Sequence, residues 1–195
     1  MKRPVLFLCA ALLAAGACAA AADETPKSGA GAQAPAMAFP KPGPEHALLA
    51  ADVGTWDATL EMTMAPGAPP ETTTGVRTVN MICGGLWMQE DIQSTMMGMP
   101  FQGRGLTGWD PAKGKYVGVW VDAMSTYVMS SEGTCDKATG TFTMWQESPG
   151  PDGKPMKWRT ETKSPDPDTR VWIAYMPTPD GKEYVGMKAT YKRRK

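Results

Sequence analysis

The alternation of apolar and polar side chains is the feature that most constrains how this chain folds. From Trp56 to Met64, every second residue is apolar, and the same period of two returns at 156–161 and 185–191. A period of two gives a half-buried β-strand one apolar face. Short turn sequences rich in Gly, Asp and Pro separate such runs at roughly ten to fourteen residues, a spacing typical of all-β sandwiches and barrels.

These runs and turns predict ten strands, and no segment between them is long enough for a crossover helix. Neighbouring strands are therefore expected to pair antiparallel. Closing such a sheet removes its free edges. We predict an antiparallel up-and-down β-barrel, with a β-sandwich as the alternative. The expected strands are 54–64, 71–83, 86–96, 102–109, 115–122, 126–134, 140–147, 155–163, 169–176 and 183–192.

One short helix is expected before the first strand. Pro44, Glu45 and His46 open a helical pattern that continues through Leu49, and Gly54 stops it. We predict that this helix plugs one end of the barrel.

The first residues are typical of an export signal. Lys2 and Arg3 precede an apolar run too short to span a bilayer, and Ala20-Ala21-Ala22 fits a signal-peptidase site. The sequence predicts a signal peptide over 1–22 and a periplasmic or secreted product. The alternative is a lipoprotein anchored through Cys18, because the residues before Cys18 loosely resemble a lipobox.

Residues 23–42 are rich in Ala, Gly and Pro and predict a flexible leader, which leaves 43–195 as a single domain without a transmembrane segment. Cys83 and Cys135 follow the signal. In an oxidising compartment they could form a disulfide. Strand counting places both at the plugged end but on distant strands, so pairing and two free thiols both remain open.

The tripeptide Gly54-Thr55-Trp56, just after a short helix, resembles the Gly-x-Trp element of lipocalins and the wider calycin superfamily. Four further motifs resemble a bacterial family of exported domains of unknown function, over about 44–192. They are Gly84-Gly85-Leu86-Trp87, Gly98-Met99-Pro100-Phe101-x-Gly103-x-Gly105, Gly108-Trp109-Asp110 to Val117, and Trp120-Val121-Asp122-x-Met124. This resemblance implies a calycin-like barrel, with no established activity and no assigned catalytic residue.

Heme-binding relatives of this barrel class would use an axial histidine inside the barrel. The only histidine here is His46, in or before the plug helix. We therefore expect no heme and no other cofactor. The basic ending Lys192 to Lys195 predicts a solvated tail rather than a nucleic-acid site.

Strand direction predicts which loops share the open end. If the first strand starts at the plugged end, Met96–Phe101 and Asp122–Thr126 meet at the open rim. Methionine is abundant, with 15 in 195 residues. Methionine repacks around varied ligands, so this composition indicates either a pliable cavity or a methionine-rich packed core. A sharper alternative is Cu(I) binding by Met96, Met97 and Met99, because thioethers select that ion.

Glu90 is the most informative single charge. It shares the parity of Met88, Ile92 and Met96, so it is expected to point into the barrel, where Arg77 or Arg104 would pair with it. The alternative is a bulge that turns Glu90 outward. An enzyme using Glu90 with Arg77 or Asp122 is a weaker hypothesis, and a serine triad is disfavoured because the sole histidine would lie at the other pole.

The leading hypothesis is an exported module that binds a small apolar or amphipathic molecule in the barrel. The alternative is a structural or interaction domain with a packed interior. We predict no metal ligand and no catalytic residue. The expected ligand-binding residues are Leu60, Met62, Met88, Glu90, Met96, Met99, Phe101, Met124 and Tyr127.

Overall fold

The computed structural model describes residues 38–150 and 153–195. The predicted signal peptide, Cys18 and most of the leader lie outside the described residues. One helix, α1 (Pro44–Ala50), precedes the strands, and a single 3-10 turn (Cys83–Gly85) follows the second strand. The strands are β1 (Gly54–Met62), β2 (Glu71–Ile82), β3 (Trp87–Met96), β4 (Met99–Asp110), β5 (Lys115–Asp122), β6 (Met129–Asp136), β7 (Thr141–Pro149), β8 (Pro155–Asp166), β9 (Thr169–Pro177) and β10 (Glu183–Arg193).

The strands form a closed barrel in which each is antiparallel to its neighbours in sequence. β10 pairs with β1 and closes the ring, with Trp56 opposite Arg193 and Met62 opposite Met187. The predicted up-and-down barrel is confirmed and the sandwich alternative is wrong. The diameter of a barrel grows with its number of strands. A ring of ten strands leaves an interior wider than the side chains of its inner face can fill.

The segment Met96–Phe101 is a tighter hairpin than the sequence analysis predicted. Met96 pairs with Met99, and only Met97 and Gly98 form the turn, both with positive φ (50° and 75°). Such two-residue turns match the twist of the strands that they join. Met99 and Phe101 therefore belong to β4, which starts three residues earlier than expected.

The basic ending is more ordered than a free tail, although Lys192, Arg194 and Lys195 are exposed to solvent as predicted. β10 continues to Arg193, and Lys192 donates a hydrogen bond to Thr169 Oγ1 at 2.6 Å. Arg193 stacks on the Trp56 ring, 4.0 Å from its centroid, and donates to the Ala51 carbonyl at 2.8 Å. These residues are held in place because β10 pairs with β1 on one side and β9 on the other where the barrel closes.

Helix α1 closes the end of the barrel at which β1 begins. Pro44 occupies the first helical position, where its missing N–H costs nothing. The Gly43 N–H donates to His46 Nδ1 at 2.9 Å, so the only histidine of the chain caps this helix. His46 does not line the barrel cavity. The predicted plug helix is confirmed.

Tyr116 fastens α1 to the barrel wall. Its hydroxyl donates to the Glu45 carbonyl at 3.1 Å, and its ring packs edge-on against Trp109 and Phe142, with centroids 5.0 and 4.9 Å away. Burial, with the nearby Cys135 and Glu45, raises the pKa of Tyr116 to about 12. The phenol therefore stays neutral in the folded protein at pH values where a free tyrosine ionises.

Alkaline pH is expected to destabilise the barrel through Tyr116. A free tyrosine titrates near 10.0, so above that pH the unfolded state releases its proton before the folded state does. The stabilisation is complete below about pH 10 and is lost as the pH rises towards about 12. Urea denaturation across this range should show a smaller decline for Tyr116→Phe, which costs about 1 kcal/mol at neutral pH. Equal declines would contradict the assignment.

Cys83 and Cys135 are both free thiols. Cys83 is exposed at the first position of the 3-10 turn, whereas Cys135 is half-buried near the end of β6. The structure therefore does not contain the disulfide that the sequence left open. In the part of the chain that the structure describes, no helix has the length and apolarity needed to cross a membrane.

Candidate functional site

The barrel encloses a cavity of about 860 Å³ that extends along its axis. Ligand pockets usually measure about 300–1,000 Å³, so this one is large enough for a small organic molecule. The walls come from nearly every strand, and most of the lining side chains are apolar. A cavity of this size does not fit the alternative of an interior filled by side chains.

The structure brings together all but one of the residues expected to bind a ligand. The residues that line the cavity are Leu60, Met62, Met88, Glu90, Met96, Phe101, Met124 and Tyr127. Met99 is the exception. It lies at the end of β4 beside the hairpin turn, is 58% exposed and does not line the cavity. The hairpin carries this residue beyond the wall and onto the rim, so a role of Met99 in binding stays a prediction.

The three methionines proposed as copper ligands do not share a pocket. Met96 is buried and lines the cavity, whereas Met97 and Met99 are largely exposed and do not. Met97 lies in the turn with positive φ. The hairpin therefore gives no support to the Cu(I) hypothesis.

The glycines of the Phe101-x-Gly103-x-Gly105 segment make room for larger side chains on the inner wall. A β-carbon at Gly103 would overlap the Trp120 indole, and one at Gly105 would lie 2.9 Å from Glu90 Oε1. Both positions point inward, on the same face as the buried Phe101. These two glycines therefore let Trp120 and Glu90 lie flat against β4.

A charged cluster forms the cavity floor, next to α1. Arg77 donates through Nε to Glu90 Oε2 at 2.7 Å and through both terminal nitrogens to Asp52 Oδ2 at 3.0 and 3.1 Å. The Arg77 side chain also stacks on the Tyr191 ring, 5.0 Å from its centroid. The expectation that Glu90 points inward and pairs with Arg77 is correct. The ladder of β3 with β4 runs without a bulge, and Arg104 instead pairs with Asp91.

Arg170 supports the same cluster from β9, which is separated from the strand of Arg77 by β1 and β10. Its Nε donates to Asp52 Oδ1 at 2.6 Å, and its terminal nitrogens donate to backbone carbonyls, including Thr169 at 2.9 Å and Ala51 at 3.2 Å. Asp52 thus accepts hydrogen bonds from two buried guanidinium groups. We call Asp52, Arg77, Glu90 and Arg170 the floor cluster.

The floor cluster contains two positive and two negative side chains, so its charges balance. Burial lowers the pKa of Arg77, but the Glu90 and Asp52 carboxylates outweigh that effect and raise it above its ordinary value. Arg77 is therefore a permanent cation and cannot donate a proton to a substrate. Burial also raises the pKa of Tyr191, which stays a neutral phenol beside Arg77.

The sequence analysis missed Asp52 and Arg170 as members of the site. Asp52 lies in the short connection between α1 and β1, where an acidic residue is unremarkable. Arg170 lies 118 positions further along the chain. The one signal in the sequence was the alternation along β9, which places Arg170 on the same inward face as Trp172 and Ala174.

The open end of the barrel lies opposite α1, where the sequence placed it. The Ala123 N–H donates to the Gln102 carbonyl at 2.9 Å, so the β5–β6 connection lies beside the start of β4. Asp122 accepts from Trp120 Nε1 and from the Met124 N–H, each at 2.9 Å. Each Asp122 oxygen thus accepts one hydrogen bond, and both bonds come from residues within two positions of it in the chain.

The wall is incomplete between β5 and β6 at the open end. Their ladder ends at the pair Trp120 and Met129, and the connection over 123–128 leaves the sheet. Met124 and Tyr127 in this connection both line the cavity and reach solvent. The cavity therefore opens on this side.

Exposed apolar side chains are concentrated around the open end. Large exposed apolar groups rarely gather on a soluble surface without a binding role. The members of this apolar rim are Met64, Met97, Met99, Met124, Tyr127 and Val128. Within the described residues, no cluster of three or more His, Cys, Asp or Glu side chains could hold a metal ion.

The barrel resembles solved structures in fold. One is the crystal structure of Rv2717c from M. tuberculosis, with a TM-score of 0.60 and 14% identity, covering 78% of this chain and 99% of that one. Another is the S-type phycobiliprotein lyase CPES from Guillardia theta, with a TM-score of 0.56 and 13% identity, covering 77% and 93%. At such identities the likeness is one of fold alone.

No curated protein has a sequence that matches this chain significantly. A family model does match it over residues 41–193, which include α1 and all ten strands. The description of this family gives no function, in agreement with the family of unknown function that the sequence motifs resemble. The chain belongs to the family described as "Protein of unknown function (DUF1579)".

Proposed function

We propose that this protein is an exported binding protein that holds a small apolar or amphipathic molecule in its barrel. The observation that carries the proposal is the cavity of about 860 Å³, with a mainly apolar wall and a charged floor. Such a combination provides apolar area for affinity and a few polar groups for orientation. The signal-like segment at 1–22 is the basis for proposing export.

The apolar rim supports the same function. A ligand with apolar surface would meet Met124 and Tyr127 at the break between β5 and β6 before it enters. Methionine side chains repack at little cost, and Met62, Met96, Met129 and Met144 continue along the cavity wall. The proposed path runs from the rim to the floor cluster.

Narrowing the cavity is expected to weaken binding. Ala174 is buried on the inner face of β9, and Ala174→Trp would place an indole in the cavity. We expect the affinity for the fluorescent apolar probe N-phenyl-1-naphthylamine to fall at least about tenfold, a change of about 1.4 kcal/mol. Fluorescence titration measures it.

Ile173→Trp is the matched control, because Ile173 is the next residue on β9 and does not line the cavity. This variant should bind the probe as the unmodified protein does. Met144→Trp, on the inner face of β7, gives a second blocked cavity if Ala174→Trp does not fold. Equal binding by all variants would place the probe elsewhere and contradict the proposal. As a separate experiment, native mass spectrometry of protein purified from its own host would identify a bound natural ligand.

A further inference from the structure

The floor cluster leaves one hydrogen-bonding atom open to the cavity. All the nitrogens of Arg77 donate to Asp52 or Glu90, and those of Arg170 donate to Asp52 or to backbone carbonyls. Every nitrogen of the two guanidinium groups has a protein acceptor, and each of these side chains is only 6% exposed. The N–H bonds that are left over are therefore largely shielded, and a ligand anion would find little donor capacity on the floor.

Glu90 differs from these arginines because only half of its carboxylate is used. Its Oε2 accepts from Arg77, whereas no described residue donates a hydrogen bond to Oε1. The side chain retains 21% of its exposure and lines the cavity. Gly105 lies against Oε1 and has no side chain to cover it. Because a carboxylate oxygen accepts two hydrogen bonds, Oε1 is an available acceptor.

We propose that the ligand is an elongated apolar molecule whose polar end donates a hydrogen bond to Glu90 Oε1. This inference rests on the proposed binding function and specifies its ligand class. A hydroxyl or an ammonium group fits, since each donates. A carboxylate-ended molecule of the same length is rejected, because it would face the Glu90 charge beside two arginines that are already paired and only 6% exposed.

The wild-type protein tests the proposal with four compounds of one chain length. 1-Dodecanol, dodecylamine, dodecanoate and dodecyl methyl ether compete with bound N-phenyl-1-naphthylamine at neutral pH and below their micelle concentrations. The alcohol and the amine should displace the probe at concentrations about tenfold lower than the ether and dodecanoate, as expected for a hydrogen bond to a charged acceptor. A larger effect for the amine than for the alcohol would identify an ammonium end.

Glu90→Gln tests the acceptor directly. The amide keeps the shape of the side chain but removes its charge. When the amide oxygen accepts from Arg77 Nε, the NH2 group takes the place of Oε1 and offers a donor to the cavity. The preference for dodecanol over dodecanoate should fall to about threefold or less, or reverse. Glu61→Gln is the matched control, because Glu61 pairs with Lys188 and does not line the cavity. It should keep the wild-type preference.

The outcomes separate this inference from the proposed function. If dodecanoate or the ether displaces the probe as well as dodecanol does in the wild-type protein, the Glu90 anchor is wrong and the cavity remains a binding site. If neither the probe nor any of the four compounds binds, the proposed function itself fails. The wild-type series decides the inference even if Glu90→Gln does not fold.

Discussion

Replacing Arg77 with methionine should destabilise the barrel by about 3–5 kcal/mol, the usual cost of removing one partner from a buried ion pair. Arg77 is 5% exposed and connects Glu90 to Asp52. Without it, Glu90 loses its only partner among the described residues, and among those residues the Asp52 carboxylate keeps only Arg170. Methionine has a similar length and apolar stem, so the loss reports the charge and its hydrogen bonds. Urea denaturation at neutral pH measures the free energy of unfolding.

Arg104→Met is the matched control for this experiment. Arg104 pairs with Asp91 on the neighbouring strands, but its side chain is 56% exposed. An exposed pair contributes less than about 1 kcal/mol. If the two variants lose the same stability, the floor cluster is not the desolvated network that its geometry indicates. In that case the floor would be open to water.

Replacing Trp56 with alanine is the second substitution with a large expected effect, also about 3–5 kcal/mol. Trp56 is fully buried, and its ring lies between the guanidinium groups of Arg193 and Arg170, at 4.0 and 5.0 Å from its centroid. Its Nε1 donates to the Asp52 carbonyl at 2.8 Å. One side chain thus joins the closing strand, the floor cluster and the end of the helical segment. Thermal and urea denaturation measure the loss.

Two controls separate the roles of the Trp56 ring and its N–H group. Trp56→Phe keeps an aromatic ring but leaves the Asp52 carbonyl without its donor, at a cost of about 1–3 kcal/mol. Trp145→Ala removes an indole that is 50% exposed on the outer wall, so it should cost less than about 1 kcal/mol. A Trp56→Ala variant as stable as Trp145→Ala would mean that barrel closure does not depend on this residue.

Much of the barrel could be predicted because strands and hairpin turns are local in sequence. The alternation in β1 and the turn residues after each strand depend on neighbours a few positions apart. The same locality predicted that Glu90 points inward, since parity along β3 decides the face of each side chain. It did not place Met99 relative to the cavity wall, because the two-residue turn at Met97 and Gly98 carries that residue onto the rim.

The sequence by itself determined the class of fold, the plugged and open ends and eight residues of the cavity wall, because alternation and turn chemistry are written in adjacent residues. Only the tertiary structure decided that the interior is a cavity, since its volume depends on how ten strands close. It also decided that Asp52 holds both Arg77 and Arg170, and that Arg193 is part of the barrel end. These contacts join residues 25 to 142 positions apart, and no local pattern records such distances.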